Sequence, residues 1–289
     1  MKTILGIIGS PRKLGNCEIA VKAVSRYIRQ PHELKILRIS DFDIRPCRGC
    51  YTCLFKEGRC VIQDDLPDIW EALFEADALI VAAPTYFLGP NATLKHLLDR
   101  GLSLLPHIET LWGKPAVGIG IAGIPGKEGY TLLGIQNFLR FLLTHIKGCE
   151  ILYGALPGEI FFNKDNETVL SNLASSLFGS ALASKSPTCP VCGGDTFRFM
   201  GDGRIRCMLC SNPGTFRKEG PVFFDICPGS HEMFLSKESA VKHSEWLKGM
   251  KARFLEQKNQ LKKITIDYLK DGTWIKPSTR EDTGNAEKP

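Results

Sequence analysis

Eight of the eleven cysteines in this 289-residue chain fall into two tight groups, and each group has the spacing of a metal site. Cys47, Cys50, Cys53 and Cys60 form the first, with gaps of two, two and six residues. Cys189, Cys192, Cys207 and Cys210 form the second, two C-x-x-C pairs fourteen residues apart. Cys17, Cys149 and Cys227 stand alone. An odd total set out in two-residue gaps argues against a disulfide framework and for metal in a reducing compartment.

The two groups call for different metals. Two-residue gaps let consecutive thiolates converge on one centre, and three cysteines in such succession favour a [4Fe–4S] cluster on Cys47, Cys50, Cys53 and Cys60. Gly49 and Gly58 permit the tight turns this loop needs. Zinc is the rival occupant, but zinc sites usually come as two separated knuckles. Four reduced thiols buried together without metal are improbable, although single ones are common. The second group has the separated form, so Cys189, Cys192, Cys207 and Cys210 read as a zinc ribbon holding Zn2+ in a structural role. A rubredoxin-like iron site is the alternative there. A segment this short buries too little to fold alone, so metal would supply its stability.

The rest of the pattern is α/β. Apolar runs at Ile4–Gly9, Leu34–Ile39, Ala78–Ala83, Ala116–Ala122 and Ile151–Leu156 read as strands. Helical spacing covers Cys17–Arg29, Leu66–Glu75, Ala92–Leu105, Leu132–Ile146 and Val169–Leu182. The alternation implies right-handed crossovers and a five-stranded doubly wound parallel sheet over residues 1–183. After a polar linker containing Pro187, residues 189–230 read as a small zinc-ribbon-like module, with β-type runs at Thr196–Met200 and Val222–Ile226. Residues 236–270 read as one or two lysine-rich helices, and 277–289 as a disordered tail.

Composition narrows the setting. The longest apolar run, near Ala78–Pro90, falls short of the roughly 20 residues that span a bilayer, so no membrane partner is expected. The first fifteen residues lack the apolar core of a signal peptide, so a cytoplasmic location is expected. The net charge of +6 is mild. Glu245 and Glu256 interrupt the basic helix and no aromatic platform accompanies it, so nucleic acid is the weaker reading of that segment.

Three loops follow strands and carry candidate chemistry. Gly9-Ser10-Pro11-Arg12-Lys13-Leu14-Gly15-Asn16 opens the first helix, where free N–H groups and the helix dipole favour an anion. Ser10 can donate a hydroxyl, Arg12 a fork, and Asn16 can cap the helix. Neither G-x-G-x-x-G nor G-x-x-x-x-G-K-[ST] is present, so a monophosphate fits better than a longer phosphate chain. Pro84-Thr85-Tyr86-Phe87-Leu88-Gly89-Pro90 leaves a central strand at its carboxyl end, where open α/β sheets bind ligands. Tyr86 and Phe87 could flank a flat ring, or both could be core. Gly123–Gly129 follows the next strand and is free to close over a ligand.

These loops, together with the helix Leu94-Lys95-His96-Leu97-Leu98-Asp99-Arg100, resemble the NAD(P)H-dependent FMN reductase group of flavodoxin-like proteins. With the cysteines at 47–60 the resemblance narrows to the iron–sulfur flavoproteins of anaerobic archaea and bacteria, over residues 1–182. It implies a flavodoxin-like FMN-binding domain. The FMN phosphate would sit on Ser10, Arg12, Gly15, Asn16 and Cys17, and the ring against Pro84, Thr85, Tyr86, Phe87, Leu88 and Gly89, with Gly123 starting the third contact. That third loop reads GIPGKEGYT and departs from the family's GGxxGGQE-like run. The resemblance also implies a homo-oligomer, dimer or tetramer, in which the cluster of one subunit approaches the FMN of another.

The leading functional expectation is an electron-transfer iron–sulfur flavoprotein that passes electrons between a [4Fe–4S] cluster and FMN, with ferredoxin or NAD(P)H as redox partner. One alternative is an NAD(P)H-dependent FMN or quinone reductase with hydride transfer to flavin N5. Another is a redox-responsive binding protein that uses the zinc ribbon. No side-chain acid–base catalyst is expected, because His32, His107, His145 and His243 have no visible catalytic partner in the sequence.

Overall fold

A computed structural model describes residues 1–184, 186–217, 223–266 and 268. The tail at 277–289 and the last residues of the 236–270 segment lie outside the described residues. β1 (Lys2–Ile8) leads to α1 (Asn16–Tyr27) and β2 (His32–Arg38). A long loop with the short α2 (Thr52–Phe55) precedes α3 (Leu66–Glu75), β3 (Ala78–Tyr86), β4 (Gly89–Pro90) and α4 (Ala92–Asp99). A 3-10 segment at Gly101–His107 and α5 (Ile108–Leu111) lead to β5 (Pro115–Ala122), α6 (Thr131–Phe141), β6 (His145–Tyr153) and α7 (Asp165–Leu177). β7 (Phe197–Gly201), β8 (Arg204–Cys207), β9 (Pro213–Arg217), β10 (Phe223–Ile226) and α8 (Lys237–Ile266) follow.

The main sheet runs β2-β1-β3-β5-β6 with parallel neighbours, the doubly wound order of a flavodoxin-like fold. Successive side chains of a strand face opposite ways, so each central strand feeds two cores. Leu5, Ile7, Leu79 and Val81 pack with α3, α4, α5 and α6, while Ile4, Ile8, Ile80 and Ala82 pack with α1 and α7. This double covering is why these strands read as unbroken apolar runs. Gly6 lets α1 sit close: a Cβ there would lie 2.5 Å from Val21 Cγ1.

The sheet has six strands rather than the expected five. The sixth is β4, two residues that turn back antiparallel on β3 and pair Tyr86 with Gly89 and Thr85 with Pro90. So short a strand leaves no periodic trace in the sequence. α3 begins and ends where the apolar pattern placed it. β6 starts six residues earlier than the apolar run indicated, because it is an edge strand, mostly half-buried, and tolerates Lys147 and Glu150. α4 stops at Asp99, and Gly101 with Pro106 tightens the next turn into a 3-10 segment.

β7 to β10 form an antiparallel sheet in the order β10-β9-β8-β7. Its core is small: Ile205, Leu209 and Ile226, closed by Leu133 from α6. α8 is one helix, and Ala240 and Leu247 bury against Phe234 on the domain. The first compact unit ends at Lys248; in the second, residues 251–266 of α8 are exposed. Among the described residues no helix is long and apolar enough to cross a membrane.

Candidate functional site

The helix start after β1 is built to receive an anion. Ile19 N–H is bonded to Gly15 O at 3.0 Å, so the N–H groups before it lie outside the α1 ladder. Ser10 is buried and its Oγ accepts from Arg12 N–H at 3.2 Å. Arg12 is exposed, and its Nη1 donates to Ala155 O at 3.3 Å. Asn16 does not cap the helix; the N-cap is Gly15. Its amide instead donates to Gly154 O at 3.0 Å and Leu156 O at 2.9 Å, and its Oδ1 accepts Gly158 N–H at 2.8 Å. Asn16 therefore braces the loop after β6 and leaves its backbone N–H for a ligand.

Two acidic groups sit in the same turn. Burial pushes the Cys17 thiol up to about 12, against the opposing charge of Arg12, so it stays a neutral thiol. Burial also works against an ionised Glu18, but Lys22, Leu14 N–H and Arg38 outweigh it and hold the carboxyl below the usual range. The contacts are 2.6, 2.9 and 2.5 Å. With two cations on Glu18, the positive end of α1 keeps its attraction for an anion.

Ser10, Arg12, Gly15, Asn16, Cys17, Pro84, Thr85, Tyr86 and Gly123 line one cavity of 180 Å³. Ile121, Gly154, Ala155 and Pro157 complete it. The last three carry no polar signature. Their one signal was position, at the carboxyl end of the fifth parallel strand. The hydroxyl, guanidinium and helix-start N–H groups form a donor set that fits a phosphate monoester.

Phe87, Leu88 and Gly89 do not line this cavity. Phe87 and Leu88 hold φ of +49° and +64° and make a two-residue turn between the paired Tyr86 and Gly89. The Phe87 side chain is 103% exposed, so it belongs neither to the core nor to the cavity wall. The start of α6 supports the turn from beneath. Tyr130 N–H donates to Leu88 O at 2.7 Å, and Thr85 Oγ1 lies 2.8 Å from Thr131 Oγ1. The third loop is tied to β6 by Tyr153 OH donating to Glu128 Oε2 at 3.1 Å.

The first cysteine loop folds over the 3-10 segment Gly101–His107. Leu54 is buried, His107 Nε2 lies 3.1 Å from Glu57 O, and Gly58 at φ +82° faces Ser103. Cys53 and Cys60 are half-buried and Cys47 and Cys50 exposed, and no three of these four sulfurs gather within 4.8 Å of one another. Burial first, then the thiols of Cys60, Cys47 and Cys50, push the Cys53 thiol up to about 11. Two of the sulfurs receive donors: Gly49 N–H at 3.4 Å from Cys47 Sγ and Ile62 N–H at 3.5 Å from Cys60 Sγ, while the neighbouring Thr52 holds the Cys50 thiol below its ordinary range. Sulfurs of iron–sulfur ligands take hydrogen bonds of this kind. None of the four lines the 180 Å³ cavity.

The second group is tighter. Cys189, Cys192, Cys207 and Cys210 place all four sulfurs within 4.8 Å of one another. Cys189 Sγ is 3.9 Å from Cys210 Sγ, and Cys192 Sγ is 3.5 Å from Cys207 Sγ. Hydrogen bonds from Cys192 and Cys207 hold Cys210 well below the usual thiol range, toward the anion a metal binds. That geometry fits one tetrahedral ion. Arg140 Nη2 donates to Cys192 O at 3.1 Å and ties the site to α6.

Residues 2–147, from β1 to the start of β6, match the NADPH-dependent FMN reductase family. The chain belongs to that family. An iron–sulfur flavoprotein of Archaeoglobus fulgidus is 34% identical over 163 residues, 55% of this chain and 72% of the relative. One from Methanosarcina thermophila is 36% identical over 151 residues, 52% of this chain and 76% of the relative. Among solved structures, a flavone reductase superposes with a TM-score of 0.71 over 96% of this chain and 100% of its own, at 17% identity. That likeness shows a shared fold that extends through the ribbon. As an FMN reductase family member the protein is an oxidoreductase with a flavoprotein redox role, and the family supports FMN as its cofactor.

In this FMN reductase family member Arg100 ends the helix motif already noted, but its pairing carried no sequence signal. Arg100 and Asp64 form a buried ion pair beside the cysteine loop. Burial opposes both charges, but their mutual hydrogen bonds prevail, and Arg100 Nη1 also donates to Arg45 O at 2.6 Å. The pair is 36 residues apart in sequence, so nothing local marked it.

Proposed function

We propose that this protein is an iron–sulfur flavoprotein that moves electrons between FMN in the 180 Å³ cavity and a [4Fe–4S] cluster on Cys47, Cys50, Cys53 and Cys60. What supports the reading is the four-cysteine spacing at 47–60 in a chain 34% identical to an iron–sulfur flavoprotein, with Gly49 N–H and Ile62 N–H donating to two of the sulfurs. When bound, FMN exchanges one or two electrons and the cluster exchanges one. The chain's own residues bind and orient. Ser10, Arg12 and the N–H groups at the start of α1 hold the phosphate. Pro84, Thr85, Tyr86 and Gly123 face the ring, with the hairpin tip of Phe87, Leu88 and Gly89 beyond it. Cys189, Cys192, Cys207 and Cys210 hold zinc and stabilise the ribbon.

Exposed apolar side chains stand at the carboxyl edge of the sheet. Phe87, Ile124, Leu156 and Phe162 are all exposed on loops after the parallel strands or their hairpin. A second copy of the chain is the partner this reading places there, with ferredoxin or NAD(P)H as electron source.

Protein purified without oxygen is expected to contain iron and acid-labile sulfide. Cys53→Ser should lose both while keeping FMN and the ribbon metal. Sulfide-free wild-type protein would refute the reading. A second reading is direct NAD(P)H-driven reduction of a flat organic substrate, favoured by the flavone reductase likeness that spans the ribbon. It requires Cys53→Ser protein to be bleached by NADPH as fast as wild type and to turn over.

A further inference from the structure

Asn91 stands at the N-cap of α4 yet makes no side-chain bond to the backbone of its own helix. An N-cap asparagine normally accepts an N–H of the first turn, and giving that up weakens the helix start. Here Oδ1 is buried with no hydrogen-bond partner among the described residues. The amide nitrogen reaches across the fold instead. Asn91 Nδ2 donates to Gly9 O at 2.6 Å and to Thr93 Oγ1 at 3.0 Å, and Thr93 Oγ1 donates in turn to Gly9 O at 2.9 Å. Two side-chain donors thus take up both lone pairs of one carbonyl at the head of the loop after β1. The sheet does not ask for this: the Gly9 N–H already donates to Ala82 O at 2.8 Å and closes the β1–β3 pairing there.

The consequence falls on the next residue. A trans peptide is planar, and its C=O and N–H point opposite ways. Holding Gly9 O against Asn91 and Thr93 therefore turns the Ser10 N–H away from them. That N–H has no partner among the described residues, and Ser10 lines the 180 Å³ cavity. Donation to a carbonyl also polarises its peptide and strengthens the N–H on the other side. We propose that Asn91 and Thr93 are positioning residues for the flavin phosphate, fixing and polarising the Gly9–Ser10 peptide so that the Ser10 N–H donates to it. The proposal rests on the reading that places FMN in this cavity with its phosphate at the start of α1. The Asn91 N–H donates separately to Pro84 O at 3.0 Å, a backbone bond to the loop after β3 that a side-chain change leaves in place.

The test compares two flavins on the full chain, purified without oxygen and stripped of flavin. FMN carries the phosphate, and riboflavin has the same ring without it. Thr93→Val keeps the side chain's shape and removes the hydroxyl. Thr93→Ser keeps the hydroxyl and removes only the methyl group. Asn91→Ala removes the amide. Thr93→Val and Asn91→Ala are each expected to weaken FMN binding about threefold to tenfold, the worth of one hydrogen bond, and to leave riboflavin binding unchanged. Thr93→Ser should bind both flavins as wild type does. Equal losses for FMN and riboflavin would overturn the proposal, because a merely structural brace weakens both. So would wild-type FMN affinity in Thr93→Val, or a loss in Thr93→Ser as large as in Thr93→Val. Should Asn91→Ala not fold, the two threonine variants decide alone. Wild-type protein that holds riboflavin as tightly as FMN would instead remove the phosphate reading beneath the proposal.

Discussion

Left-handed backbone at Phe87 and Leu88 disfavours each side chain by roughly 1–2 kcal/mol. Asn-Gly makes the same two-residue turn without strain. Strain kept at an exposed tip beside a ligand cavity points to function rather than stability. Phe87→Asn with Leu88→Gly is therefore expected to raise unfolding free energy by about 1–2 kcal/mol in urea while slowing electron delivery to the flavin. Unchanged reduction kinetics would show that the tip makes no functional contact. Gly58 is the opposite case. A Cβ there would meet Ser103 O at 2.5 Å and His107 Nε2 at 2.6 Å, on backbone that only glycine adopts easily. Gly58→Ala should cost about 1–3 kcal/mol and lower the iron-to-flavin ratio, with FMN retained. Glu18 sets a pH dependence. Its folded pKa lies below the free value, so its ion pairs stabilise above the ordinary carboxylate range and are lost as pH falls through the lowered value. Glu18→Gln should lower stability at neutral pH and flatten the acid limb of urea midpoints against pH.

At the scale of elements, the sequence was most legible where a strand or helix buries itself on its own terms. β3, β5 and α3 are such elements, and their apolar runs and stripes marked them closely. Legibility failed where tertiary neighbours decide. Edge position lengthened β6, Gly101 and Pro106 cut α4 short, and the bond network with Gly154, Leu156 and Gly158 took the Asn16 side chain away from the helix cap. Nine of the residues expected to hold FMN line one cavity because strand ends are fixed by topology, and Phe87 stands outside it because a hairpin too short to show periodicity turns it outward. The ribbon was legible through its cysteines and the β-type runs at β7 and β10, while β8 and β9 carry few apolar residues. Its small core counts the ligand cysteines Cys189 and Cys207 among its six buried members and is too small to hold without metal. Chelation, or Cys207→Ser, is accordingly expected to abolish hydrogen-exchange protection in β7–β10 and expose Leu133, while β1, β3 and β5 stay protected. Metal analysis of the chelated fraction should return zinc.

At the scale of the molecule, the cysteine loop and the flavin cavity are separate constructions on one sheet. The loop is braced by Arg100, Asp64 and His107 on the α3 side, and the cavity is walled by the loops after β1, β3, β5 and β6. No cysteine of the loop reaches the cavity wall, and Phe87, Ile124 and Leu156 are exposed on the loops at that end of the sheet. On the proposed reading, two redox groups held at these places would need a partner surface to complete the path, which makes self-association a functional expectation of that proposal. Dilution below the association midpoint should slow electron transfer between the centres without releasing FMN. The central claim, that one chain carries both a flavin and an iron–sulfur centre, is tested most directly by counting electrons. An anaerobic reductive titration of FMN-replete protein should consume one electron per chain beyond the pair that FMN holds, with the extra electron lost in Cys53→Ser. Uptake of the flavin pair alone by the wild-type protein would contradict it.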